Sequence, residues 1–112
     1  MLRCAQLALV LTVVVAAGCG DDSANVVGGP CTQQSCASGS VCLTSADFPG
    51  GMCALPCGVA NPSCPSGAVC VEEEGKNCLP SCSTPQDCRV GYTCKGKKNV
   101  VGGGESLVCI KE

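Results

Sequence analysis

Histidine and tryptophan are absent from this 112-residue chain, and phenylalanine and tyrosine occur once each. Without histidine the usual general base near neutral pH is missing, and a serine or cysteine nucleophile has no evident activator. So few large side chains leave little apolar surface to bury against the entropy of the chain. A basic excess is lacking as well: the net charge is −2 and the pI near 5.0, which argues against a nucleic-acid partner. Neither C-x-C nor C-x-x-C occurs, so the close thiolate pairs typical of zinc sites and dithiol redox centres are missing. The one acidic cluster, Glu72-Glu73-Glu74, is contiguous and reads as a solvated loop with diverging side chains. These absences predict no enzymatic activity, no metal and no cofactor.

What the chain has instead is cysteine, 14 of 112 residues, far above the level that marks a disulfide scaffold. Three knots of the form C-x-x-G-x-x-C organise it: Cys36–Cys42, Cys64–Cys70 and Cys88–Cys94. Each is preceded by another cysteine (Cys31, Cys57, Cys82) and followed by a fourth (Cys53, Cys78, Cys109). Residues 31–56, 57–81 and 82–112 are therefore three tandem repeats, and self-similarity of this kind predicts an array in which each unit mostly meets its neighbours. The glycine of each knot (Gly39, Gly67, Gly91) is expected at positive φ, which glycine adopts without steric cost. The β-branched Val41, Val69 and Thr93 suit a short strand entering the third cysteine.

The predicted fold is small and disulfide-rich: three mini-modules, each a short β-hairpin, with little or no helix after the leader. In the third repeat, residues 99–101 and 106–108 are expected to flank a turn over 102–105. Four cysteines allow three connectivities, and spacing alone does not choose among them. An interlaced first-to-third, second-to-fourth pairing is expected because it pins both the knot and the long loop. It gives Cys31–Cys42, Cys36–Cys53, Cys57–Cys70, Cys64–Cys78, Cys82–Cys94 and Cys88–Cys109. Each bridge of this size stabilises by roughly 2–4 kcal/mol in the chain-entropy picture.

Upstream, a short positive start at Arg3 leads into an apolar run over residues 4–17. As a helix that run reaches only about 21 Å against a bilayer core of about 30 Å, so an export signal over 1–18 is favoured over a membrane span. Ala16-Ala17-Gly18-Cys19 resembles the lipobox of bacterial lipoproteins, with Ala16 where leucine is commoner. The resemblance implies cleavage before Cys19 and its lipidation. Twelve cysteines in 31–109 make an even set and leave Cys19 over, which lipidation would employ. Residues 19–30 then read as the lipidated cysteine and a flexible, glycine-rich tether. Gly20, where inner-membrane lipoproteins can carry Asp, points to the outer membrane or cell surface. Simple secretion is the alternative.

Cys82-Ser-Thr-Pro-Gln-Asp-Cys88-Arg-Val-Gly-Tyr-Thr-Cys94 resembles the opening of the N-terminal cysteine-rich domain of Dickkopf proteins. More loosely it resembles EGF-like modules and the short cysteine-rich repeats of bacterial lipoproteins. The resemblance implies a small extracellular disulfide module, and repeats one and two depart from it by carrying Ser35 and Ser63 in place of Asp87. Recognition of a protein or envelope partner is the expected role. Phe48 and Met52, on the clamped loop 43–52, are candidate anchors, with disulfide cover as the other reading of Phe48. Lys95, Lys97 and Lys98 form a candidate basic spot, opposite in sign to the Glu72–Glu74 loop. A proteinase inhibitor presenting loop 43–52 is the alternative function.

Overall fold

The computed structural model describes residues 22–33 and 35–111. The proposed export signal and Cys19 lie outside the described residues. The described residues are built from β-hairpins and six disulfides with almost no helix. Among them one helical turn, α1 (Asp22–Val26), precedes strands β1 (Val41–Leu43), β2 (Met52–Pro56), β3 (Ala68–Glu72), β4 (Lys76–Pro80), β5 (Thr93–Lys98) and β6 (Glu105–Ile110). A 3-10 turn at Pro85–Asp87 precedes the third knot. There Asp87 accepts hydrogen bonds from the amides of Ser83 and Thr84 at 2.8 and 3.1 Å.

Each repeat forms one hairpin for the same local reason. Within each knot a turn bond closes around the glycine: Ser40 N to Ala37 O, Ala68 N to Pro65 O and Tyr92 N to Arg89 O, at 2.9–3.0 Å. Glycine occupies the third place of each turn, where type II geometry demands positive φ. Gly39, Gly67 and Gly91 adopt φ of 90°, 87° and 94°. The turn reverses the chain and feeds the third cysteine directly into the first strand of the hairpin. The fourth cysteine then lies opposite it in register: Cys42 faces Cys53, Cys70 faces Cys78 and Cys94 faces Cys109. Those facing pairs are not bonded to one another. The bridges run Cys31–Cys42, Cys36–Cys53, Cys57–Cys70, Cys64–Cys78, Cys82–Cys94 and Cys88–Cys109, so each hairpin is stapled at its base by the two cysteines that precede it.

The repeats do not stand in a row. Strands β1, β2, β4 and β3 share one antiparallel sheet in that order, while β5 and β6 form a ribbon of their own. The ribbon is tied back through isolated bridges between Val71 and Asn99 and between Ser81 and Val108. One core serves all three units: Leu43, Phe48, Met52 and Ala54 from the first, Val71 and Leu79 from the second, and Tyr92, Val108 and Ile110 from the third. Beyond the expected contacts between neighbouring units, repeats one and three also meet: they share this core, and the Lys111 amide donates to Asp47 O. A module this poor in large side chains gains most by pooling them.

Two local expectations also change. The third hairpin turns earlier than its glycines suggested, with Lys98 facing Glu105 and the turn running from 99 to 104 rather than from 102 to 105. Asn99 ends the first arm, since its amide bonds Gly104 O and its side chain bonds Gly103 O, both at 2.9 Å. Residues 22–30, expected as part of a flexible tether, are docked instead. Gly28 at φ 103° and a 2.8 Å bond from Gly29 N to Ala24 O close α1 with a six-to-one cap. Gly28 N then donates to Cys53 O, and Cys53 N donates to Gly29 O. Ala37 N bonds Asn25 O and the Ser40 hydroxyl bonds Val26 O. The segment thus lies along β2 and against the first knot.

Candidate functional site

The large side chains that the sequence offered as exposed anchors point inward. Phe48 and Met52 are each only 1 % exposed and sit at the centre of the shared core. The reason is local: Phe48 N bonds Ser45 O and Gly51 N bonds Phe48 O, so loop 44–51 coils into tight turns that drive the ring under the loop. In this conformation both side chains are buried, and the surface of loop 43–52 is left to small and polar residues with Pro49 half-buried.

Residues not singled out from the sequence gather against that loop. Arg89, in the third knot, donates to three carbonyl oxygens: Gly51 at 2.8 Å, Gly28 at 3.1 Å and Pro49 at 3.2 Å. Its guanidinium carbon lies 4.8 Å from the centroid of the Tyr92 ring, and the Tyr92 hydroxyl donates to Pro49 O at 2.9 Å. Burial pushes the Tyr92 hydroxyl above its ordinary pKa, partly offset by the neighbouring Arg89 charge. This clasp joins the N-terminal segment, the first repeat and the third. The fork of donors on guanidinium suits it to several carbonyls at once. A trace was present in the sequence: knots one and two carry small residues (Ala37 and Ser40, Pro65 and Ala68) where the third carries Arg89 and Tyr92.

A second polar seam joins all three repeats. Side-chain oxygens of Asp47, Glu73 and Glu74 lie within 4.8 Å of one another. The Lys97 ammonium is 3.1 Å from Glu73, and the Ser45 hydroxyl donates to Glu74 at 2.5 Å. Two of the contiguous glutamates therefore converge rather than diverge, because Glu74 takes φ 55° in the tight turn between β3 and β4. Buried Asn77 holds that turn by donating to the carbonyls of Glu73 and Glu74 at 3.0 and 3.2 Å. Asp47 comes from 26 residues upstream of Glu73, a separation that the contiguous glutamates do not announce.

The three lysines do not form one spot. Along β5, Lys95 and Lys97 share one face and Lys98 takes the other, as the two-residue period of a strand requires. Lys97 is engaged with Glu73, so the opposite charges of repeats two and three meet partly within the molecule. Among the described residues, the large apolar side chains that do reach the surface are Val41, Val59, Val90, Val101 and Leu107. No family model, curated protein or solved structure matches the chain.

Proposed function

We propose that this chain is an exported, lipid-anchored cell-envelope protein whose stapled array serves protein interaction or structural spacing, without enzymatic activity. The observation that carries the reading is the closure of the cysteine set. All twelve described cysteines pair among themselves, four per repeat. Cleavage before Cys19 would remove Cys4 with the leader and leave Cys19 as a lone thiol, which oxidising compartments disfavour and acylation would use. Six bridges themselves suit an extracellular or otherwise oxidising setting. The inward packing of Phe48, Met52 and Leu79 supports a scaffold that spends its large side chains on stability. It leaves recognition to exposed loops such as the tip of the third knot at Val90.

The test is the intact mass of the protein extracted in detergent from its host's membranes, before and after reduction. The expected mass is that of residues 19–112 plus a lipid group, rising on reduction by two hydrogens for each bridge. A soluble, lipid-free product would overturn the anchor, and free thiols in the unreduced protein would overturn the closed set.

A further inference from the structure

We propose that each repeat is a closed thiol–disulfide exchange unit. It interconverts between the interlaced pairing and a second one, first-to-second with third-to-fourth. In each repeat the first two sulfurs and one further sulfur of the same repeat are near neighbours, and the third and fourth cysteines are paired in backbone register. The first and second sulfurs, of Cys31 and Cys36, Cys57 and Cys64, and Cys82 and Cys88, lie within 4.8 Å of each other. The third and fourth cysteines are direct cross-strand partners in every hairpin. Facing residues in an antiparallel pair have Cα atoms about 4.5–5.5 Å apart, inside the range of about 4.4–6.8 Å that a disulfide spans. The sulfur clusters do not mix repeats among the described residues: Cys31, Cys36 and Cys42 group together, as do Cys57, Cys64 and Cys78, and Cys82, Cys88 and Cys109.

The exchange needs only a catalytic low-molecular-weight thiol. In repeat one its thiolate attacks Cys31 Sγ, forming a mixed disulfide and releasing the Cys42 thiolate. Cys42 attacks Cys53 Sγ across the hairpin, forming Cys42–Cys53 and releasing the Cys36 thiolate. Cys36 attacks the mixed disulfide at Cys31, forming Cys31–Cys36 and returning the small thiolate. Two bridges break and two form, and nothing is oxidised or reduced overall. The intermediates are accessible where the released sulfurs are half-buried, as at Cys42 and Cys36 in repeat one and Cys94 and Cys88 in repeat three. In repeat two the first thiolate released is that of buried Cys70. Burial disfavours a thiolate, so repeat two should exchange more slowly than the other two.

Two measurements test this. The oxidised folded protein is incubated at pH 8 with glutathione in its reduced and oxidised forms, quenched by alkylation, and its disulfide-linked peptides are mapped by mass spectrometry. The expected result is that Cys31–Cys36 appears with Cys42–Cys53, and Cys82–Cys88 with Cys94–Cys109, ahead of any change in repeat two. Retention of the starting six bridges alone, links between repeats, or first-to-fourth pairing would overturn the proposal. In the second measurement, Cys31→Ser leaves Cys42 as a thiol facing the Cys36–Cys53 bridge. The free thiol should be recovered on Cys36, with no added thiol. Its retention on Cys42 would overturn the proposal.

Discussion

Gly51 and Gly67 both adopt positive φ, 79° and 87°, yet their surroundings differ sharply. A Cβ on Gly51 would overlap the backbone oxygen of Cys31, whereas one on Gly67 would meet nothing within 4 Å. Gly67→Ala should therefore cost only the backbone strain, about 1 kcal/mol. Gly51→Ala adds a collision that only backbone movement relieves, and should cost about 3 kcal/mol or prevent correct bridging. Guanidinium unfolding of the two oxidised variants reads the difference; equal losses would refute it. Tyr92 offers a second check, since it is the single tyrosine and its ultraviolet titration is unambiguous. Its folded pKa is raised, so the neutral form stabilises the fold below the unfolded value near 10 and that contribution is lost as pH climbs through the folded value. The tyrosinate midpoint should lie above that of the unfolded chain, and Arg89→Ala should raise it further by removing a nearby positive charge.

At the level of elements, the hairpins were legible because their instructions are local. A glycine three places into a seven-residue knot and a β-branched residue beside the third cysteine dictate a turn and then a strand. The docking of residues 22–30 was not legible, because Gly28-Gly29 serves equally well as a linker or as a helix cap. What decides is the pair of bonds to Cys53, a partner more than twenty residues away. Phe48 posed the same difficulty, since loop 43–52 has no period of two or 3.6 to say which side faces in. Asn77 gives the element-scale prediction. Asn77→Ala removes both side-chain donors from the Glu73–Gly75 turn and empties a buried site, at an expected cost of about 1–3 kcal/mol in thermal or denaturant unfolding. Glu74→Gly should act in the opposite sense at φ 55°, raising stability by up to about 1 kcal/mol unless the lost hydrogen bond from Ser45 offsets it. An unchanged midpoint for Asn77→Ala would show that the turn holds itself.

For the whole molecule, the decisive contacts are those between repeats one and three, which no reading of a repeat in isolation could supply. Arg89 concentrates them, and Arg89→Ala should lower amide protection at Gly28 and Cys53 by at least about tenfold, equivalent to about 1.4 kcal/mol in local opening. Protection at Cys78 and Leu79 should hold. Arg89→Lys should recover little, since an ammonium cannot span three carbonyls in the plane of a guanidinium. Uniform loss of protection would mean that the clasp supports the whole fold rather than one seam. The docked N-terminal segment has a further consequence for a chain acylated at Cys19 as proposed. Only three residue steps then separate the anchor from α1, a contour of about 10 Å at roughly 3.5 Å per step. A free tether over residues 19–30 would reach several times farther. So held, the array would sweep the bilayer like a puck on ice, meeting partners by lateral diffusion in the same leaflet rather than by casting outward for them.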